Sequence, residues 1–80
     1  MIYILKESVM NGTVAMITQV SGIEADDFNL AAVFLQDKIT QAGVLPTKIT
    51  FVKDSYVEYT TTGDLLVVGR MESTPLKMLN

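Results

Sequence analysis

The sequence predicts an α+β domain in which one helix packs on an antiparallel sheet of about five strands, in the chain order ββαβββ. Three observations lead to this fold class: an Asn-Gly turn between two apolar segments, a central stretch with helical periodicity, and a last third rich in Thr, Val and Tyr. With 80 residues in all, we expect one domain over residues 1–72 and a C-terminal tail over 73–80.

The first two strands are predicted to form a hairpin around Asn11 and Gly12. Asn-Gly tolerates the positive φ angles of a two-residue type I′ turn between twisted strands. A turn centred on this pair places Val9 opposite Val14. The other face of the hairpin is then partly polar but also carries three isoleucines, Ile2, Ile4 and Ile17.

A helix is predicted from Glu24 to Ala42. Ser21 followed by Glu24 fits a capping box, in which each side chain satisfies a free backbone N–H of the first turn. Gly43 matches the glycine that commonly stops a helix at its carboxyl end. Acidic residues just after the predicted start, Asp26 and Asp27, agree with the positive end of the helix dipole.

The helix carries more large apolar residues than one buried face needs. At about 100° per residue, one stripe suffices to pack the helix on the sheet; this stripe contains Phe28, Ala31, Ala32, Leu35, Ile39 and Ala42. Leu30, Val33 and Phe34 project from other sides. They are either covered by loops or the tail, or they contact a second chain.

The last third is predicted to be a meander of three strands, because Thr, Val and Tyr favour strands. A turn at Gly63-Asp64 would place Tyr56 opposite Met71 and Val57 opposite Arg70. The predicted strands are Lys48–Lys53, Ser55–Thr61 and Leu65–Met71.

Composition removes several classes of function. The chain has no Cys and no His, so thiolate chemistry, zinc-thiolate sites and the commonest general base are absent. Six basic against nine acidic residues do not suit a nucleic-acid partner. The apolar runs are shorter than the ~20 residues of a membrane helix, and no leader segment opens the chain. We therefore expect a cytoplasmic protein without cofactor, bound metal or enzymatic activity.

Two clusters of polar side chains are candidate ligand sites. Glu24, Asp26 and Asp27 lack the alternating ligands and central glycine of a calcium loop, so helix-start electrostatics explains them better. Tyr56, Tyr59 and Arg70 offer aromatic faces and a planar cation that could hold a small anion such as a nucleotide. The ordinary alternative for the arginine is an ion pair at the surface with Glu58 or Glu72.

The function predicted from these patterns is that of a non-catalytic protein-interaction module. With 49% hydrophobic and 19% charged residues, the chain has more apolar side-chain surface than a domain this small can bury. We expect a homo-oligomer, with a dimer as first guess, that modulates or inhibits a partner macromolecule, as a viral or bacteriophage accessory factor would. Its predicted interface contains Leu30, Val33, Phe34, Ile2, Ile4 and Ile17. The alternative is a module that binds an anionic ligand between subunits through Tyr56, Tyr59 and Arg70.

Overall fold

A computed structural model, which describes residues 1–43, 46–61 and 66–77, confirms the predicted α+β class and the order ββαβββ. One helix packs on one face of a five-stranded antiparallel sheet. We call this face the helix face and the opposite one the open face. The elements are β1 (Ile2–Asn11), β2 (Val14–Glu24), α1 (Phe28–Gln41), β3 (Lys48–Val52), β4 (Tyr56–Thr61) and β5 (Leu66–Glu72).

The strands lie side by side in the order β2-β1-β5-β4-β3. The first hairpin and the C-terminal meander are joined where β1 pairs antiparallel with β5. Both of these strands are therefore central. The two edges of the sheet are the long strand β2 and the short strand β3.

The predicted register of the first hairpin is wrong. The turn is formed by Gly12 and Thr13, with Asn11 opposite Val14. Gly12 has φ 62° whereas Thr13 does not have a positive φ, which is the pattern of a type II′ turn, since type I′ requires a positive φ at both central residues. Glycine tolerates that conformation better than asparagine does, so the turn moves one residue along the chain.

A β-bulge further displaces the partners near the hairpin tip. Met10 pairs with Ala15 whereas Val9 pairs with Ile17, which leaves Met16 as an extra residue on β2. Residues that pair directly share a sheet face. Ile17 therefore lies on the helix face with Val9, and not with Ile2 and Ile4 as predicted.

The predicted start of the helix is also wrong. Strand β2 continues to Glu24, and Ser21 lies within it opposite Leu5, so the predicted capping box does not form. Pairing with β1 provides hydrogen-bond partners for the backbone groups of residues 21–24, whereas a capping box would satisfy only two N–H groups. The N-cap is Asp27, whose Oδ1 accepts the backbone N–H of Leu30 at 2.8 Å.

The carboxyl end of the helix agrees with the prediction. Ala42 is the C-cap, and the next residue, Gly43, has φ 73°. This left-handed conformation is the one that favours glycine after a helix.

The three-stranded meander is confirmed, but its second register is shifted by one residue. Val57 pairs with Met71 and Tyr56 with Glu72, where the prediction paired Tyr56 with Met71. The observed register puts Val57 and Met71 together on the helix face, where both are buried. Burial therefore determines the pairing, since a slip of one residue would turn one strand's apolar set outwards. The turn predicted at Gly63-Asp64 lies outside the described residues.

The core lies between α1 and the centre of the sheet. Leu5, Leu35 and Met71 are the largest of its fully buried side chains. Of the predicted stripe, Ala32 is only partly buried and Ala42 is exposed at the end of the helix. Among the described residues, the buried hydrophobic core contains Tyr3, Leu5, Ile23, Ala25, Phe28, Ala31, Leu35, Ile39, Val57, Tyr59 and Met71.

Aromatic contacts connect the helix start to the sheet, and a backbone hydrogen bond connects the chain after β5 to it. The ring of Phe28 lies 5.9 Å from that of Tyr3 and 5.9 Å from that of Phe51, on which it stacks. After β5, the backbone N–H of Leu76 donates to the carbonyl oxygen of Ile2 at 2.7 Å. No helix within the described residues has the length and apolarity needed to cross a bilayer.

Candidate functional site

The outer edge of β2 is the longest exposed apolar feature of the described structure. Val14, Met16, Ile17 and Val20 are between 59% and 66% exposed. The sequence contains no charged residue between Glu7 and Glu24. No described strand pairs with this side of β2, so backbone N–H and C=O groups along it are free to bond another chain. We call this feature the β2 edge.

The other edge of the sheet has a different chemistry. Strand β3 has only five residues, begins with Lys48 and is followed directly by Lys53. Short strands and lysines are common means of preventing edge-to-edge association. Only the β2 edge lacks this protection.

The exposed apolar residues of the helix lie on two different flanks. Helical geometry of about 100° per residue places Leu30, Phe34 and Lys38 on one flank and Val33 on the other. Lys38 Nζ lies 3.8 Å from Glu7 Oε1 on β1, so its flank faces the side of the sheet that ends in the β2 edge. We call Leu30 and Phe34, both exposed, the helix flank.

The structure therefore divides the predicted interface residues into separate groups. Ile17 belongs to the β2 edge, on the same side of the molecule as the helix flank. Ile2 and Ile4 are half-buried on the open face, where they pair with Glu24 and Gly22. Val33 lies on the other flank of the helix, next to β3.

The residues predicted to bind an anion do not form one site. Arg70 and Tyr56 meet on the open face, with the guanidinium carbon 4.1 Å from the ring centroid. Arg70 Nε donates to Glu72 at 2.8 Å, and Nη1 donates to Glu58 at 3.2 Å. These contacts, with the Glu72 hydrogen bond first, raise the pKa of Arg70. Tyr59 lies on the opposite face of the sheet.

Tyr59 instead forms a polar cluster under the helix that the sequence did not predict. Its hydroxyl donates to Glu7 Oε2, while Glu7 Oε1 faces Lys38. Burial, the hydrogen bond and the carboxylate charge together raise the pKa of Tyr59 above its ordinary value of 10.0. The available signal was the alternation Tyr3, Leu5, Glu7, which puts a carboxylate on an otherwise apolar face.

A groove separates the Val33 flank of α1 from strands β3 and β4. Its volume is about 490 Å³. The helix side and the sheet side are both mainly apolar, and Lys53 lies at its border. We call it the β3 groove; it is lined by Asn29, Ala32, Val33, Leu35, Gln36, Ile39, Ile49, Phe51, Lys53, Val57 and Tyr59.

In residues 1–43, 46–61 and 66–77, no three acidic side chains converge in a way that could hold a metal ion. Asp27 is engaged as the helix cap. No protein-family model matches the chain, nor does any curated protein or solved structure.

Proposed function

We propose that the protein is a non-catalytic interaction module that associates with a second copy of itself through the β2 edge. The observation that supports this most directly is the combination found in β2: a strand of 11 residues that is uncharged up to its last residue, Glu24, with exposed apolar side chains and no described strand paired to its outer side. Such an edge is a template for pairing with another chain.

The absence of charge favours a second copy over an unrelated chain. Two-fold pairing of β2 with itself brings each side chain near residues from the same short segment. A charge near the two-fold axis would therefore meet the same charge from the partner, which destabilises a strand pair. The β2 edge avoids this completely, because its uncharged stretch extends from Ser8 to Ile23.

The geometry of such a pair also gives a role to the helix flank. An antiparallel pairing requires a two-fold axis perpendicular to the sheet, so both helices lie on the same face of one continuous sheet. The flank with Leu30 and Phe34 then points toward the seam from both sides. Burying these side chains at roughly 25 cal/mol per Å² adds apolar stabilisation to the backbone hydrogen bonds.

The dimer would act by occupying a further macromolecule. Association through β2 leaves the open face uncovered, including half-buried Ile2 and Ile4 and the exposed pair Arg70 and Glu72. A partner can contact this face without competing with the seam. A regulatory or inhibitory role is consistent with such an uncovered face.

Light scattering across micromolar concentrations tests the proposal. The wild type should show twice the 8.8 kDa mass of the chain. Val20→Lys places a charge at the centre of the β2 edge and should give a monomer. Its matched control is Val52→Lys, which puts the same charge on the open face of the other edge strand and should leave the dimer intact. A wild type that stays monomeric throughout would refute self-association.

A further inference from the structure

We propose that the β3 groove binds a single-chain aliphatic carboxylate, with the chain between α1 and the sheet and the carboxylate at Lys53. This site is independent of the self-association proposed above. It lies on the Val33 flank of the helix and toward β3, whereas the seam would involve the opposite flank and β2.

The groove exists because a single helix is too narrow for the sheet. Helix α1 covers the centre of the helix face but leaves Ile49 and Phe51 of β3 about half exposed. Val33 is exposed on the opposing wall. These three side chains face a shared space rather than scattered surface positions, and its volume of about 490 Å³ is within the range of small-molecule sites.

The lining selects an apolar chain. Leu35, Ile39 and Val57 are buried and form the deep part of the groove. Tyr59 also lines it, but its hydroxyl is already bonded to Glu7 and offers no free donor there. A ligand without polar groups along its length therefore matches the interior, because an unpaired polar group would be desolvated at a cost.

The border of the groove selects an anion. Lys53 is the one charged residue among those that line it. No carboxylate of the described residues forms an ion pair with Lys53. Asn29 and Gln36 also line the groove, and their side-chain amides can donate hydrogen bonds to a headgroup. A ligand carboxylate can form an ion pair with the Lys53 ammonium, which is a local positive charge in a chain of net charge −3.

Isothermal titration calorimetry with decanoate and dodecanoate below their micelle-forming concentrations tests the site. The longer chain should bind more tightly, by about fourfold for each methylene that enters the groove. Lys53→Glu should weaken dodecanoate binding by on the order of tenfold, through loss of the ion pair and new repulsion. Lys48→Glu is the matched control: it makes the same charge change on β3 but on the open face, and affinity should remain within about twofold.

Methyl chemical shifts locate the ligand independently. Dodecanoate should shift the signals of Val33, Ile49 and Val57, and leave those of Val14 and Val20 in place. Absence of binding by the wild type, equal binding of dodecanol, or equal losses in Lys53→Glu and Lys48→Glu would each overturn the assignment. None of these results depends on oligomeric state, since Val20→Lys should bind dodecanoate like the wild type.

Discussion

The ring of Tyr59 lies directly over the backbone of Gly69, its partner on the neighbouring strand. A Cβ atom added at Gly69 would stand 2.0 Å from Tyr59 Cε1 and 2.5 Å from Cζ. This close approach allows the hydroxyl of Tyr59 to reach Glu7 beneath the helix. The absence of a side chain at Gly69 therefore helps to position the polar cluster of Tyr59 and Glu7.

Gly69→Ala is expected to lower the free energy of unfolding by about 1 to 3 kcal/mol, because the methyl group overpacks the site. Urea unfolding measures the change. The double variant Gly69→Ala/Tyr59→Leu should lose less than the sum of the single changes, since the ring that causes the clash is gone. Strictly additive losses would show that the Tyr59 ring does not cause the effect.

Tyr59 should make stability fall at alkaline pH. Its pKa is raised in the folded state above the ordinary 10.0, so the stabilisation is fully present below pH 10 and is lost as the pH rises beyond it. Tyr59→Phe should reduce this alkaline loss and cost about 1 kcal/mol at neutral pH through the missing hydrogen bond. Urea unfolding at pH 8 and at pH 11 measures both. Tyr56→Phe, on the open face, should keep the wild-type dependence.

Asp27→Ala should destabilise the protein by about 1 kcal/mol, because the backbone N–H of Leu30 loses its acceptor. The matched control is Asp26→Ala, which removes the same charge one residue earlier without removing the cap. Thermal unfolding should give a larger drop in Tm for Asp27→Ala. Equal drops would indicate that charge, rather than capping, is responsible.

Leu35→Ala is expected to cost about 2 to 5 kcal/mol, since Leu35 is 1% exposed and its removal leaves a cavity under the helix. Leu30→Ala, at an exposed position of the same helix, should cost much less in the monomeric background of Val20→Lys. Denaturant unfolding in that background separates folding from association. Similar costs at both positions would contradict the described packing of α1.

The two helix flanks can be distinguished by charge. Phe34→Asp together with Leu30→Glu should weaken the dimer, because both side chains face the proposed seam. Val33→Asp is the control on the other flank: it should leave the dimer intact but weaken dodecanoate binding in the β3 groove. Light scattering and calorimetry on the same samples give both results. If only Val33→Asp abolished the dimer, the seam would involve the Val33 flank, and the proposed position of the seam would be wrong.

The fold class and element order could be predicted because they depend on local signals. The two apolar strands, the helical stripe with Gly43 at its end, and the Thr- and Val-rich meander are each visible in a window of a few residues. Both hairpin registers were wrong. Registers depend on which residues the helix buries, as for Val57 and Met71, and this is a contact between distant parts of the chain.

The candidate surfaces were predictable only as an excess of apolar residues. The sequence identified Leu30, Phe34 and Ile17 individually, but not that β2 is an edge, because the pairing of β1 with β5 determines the strand order. The Glu7–Tyr59 contact joins residues far apart in the chain and depends on the same pairing. The β3 groove likewise could not be predicted, because its existence depends on where the helix lies across the five strands.

The contrast between the two sheet edges would limit how far the proposed association can proceed. A sheet with two receptive edges would grow by repeated addition into a filament. Here Lys48 begins and Lys53 follows β3, the short strand at the other edge of the sheet. Once two copies pair through β2, the pair therefore has no further receptive edge to which a third copy could add. Concentrated solutions should therefore hold discrete pairs and remain clear of fibrils.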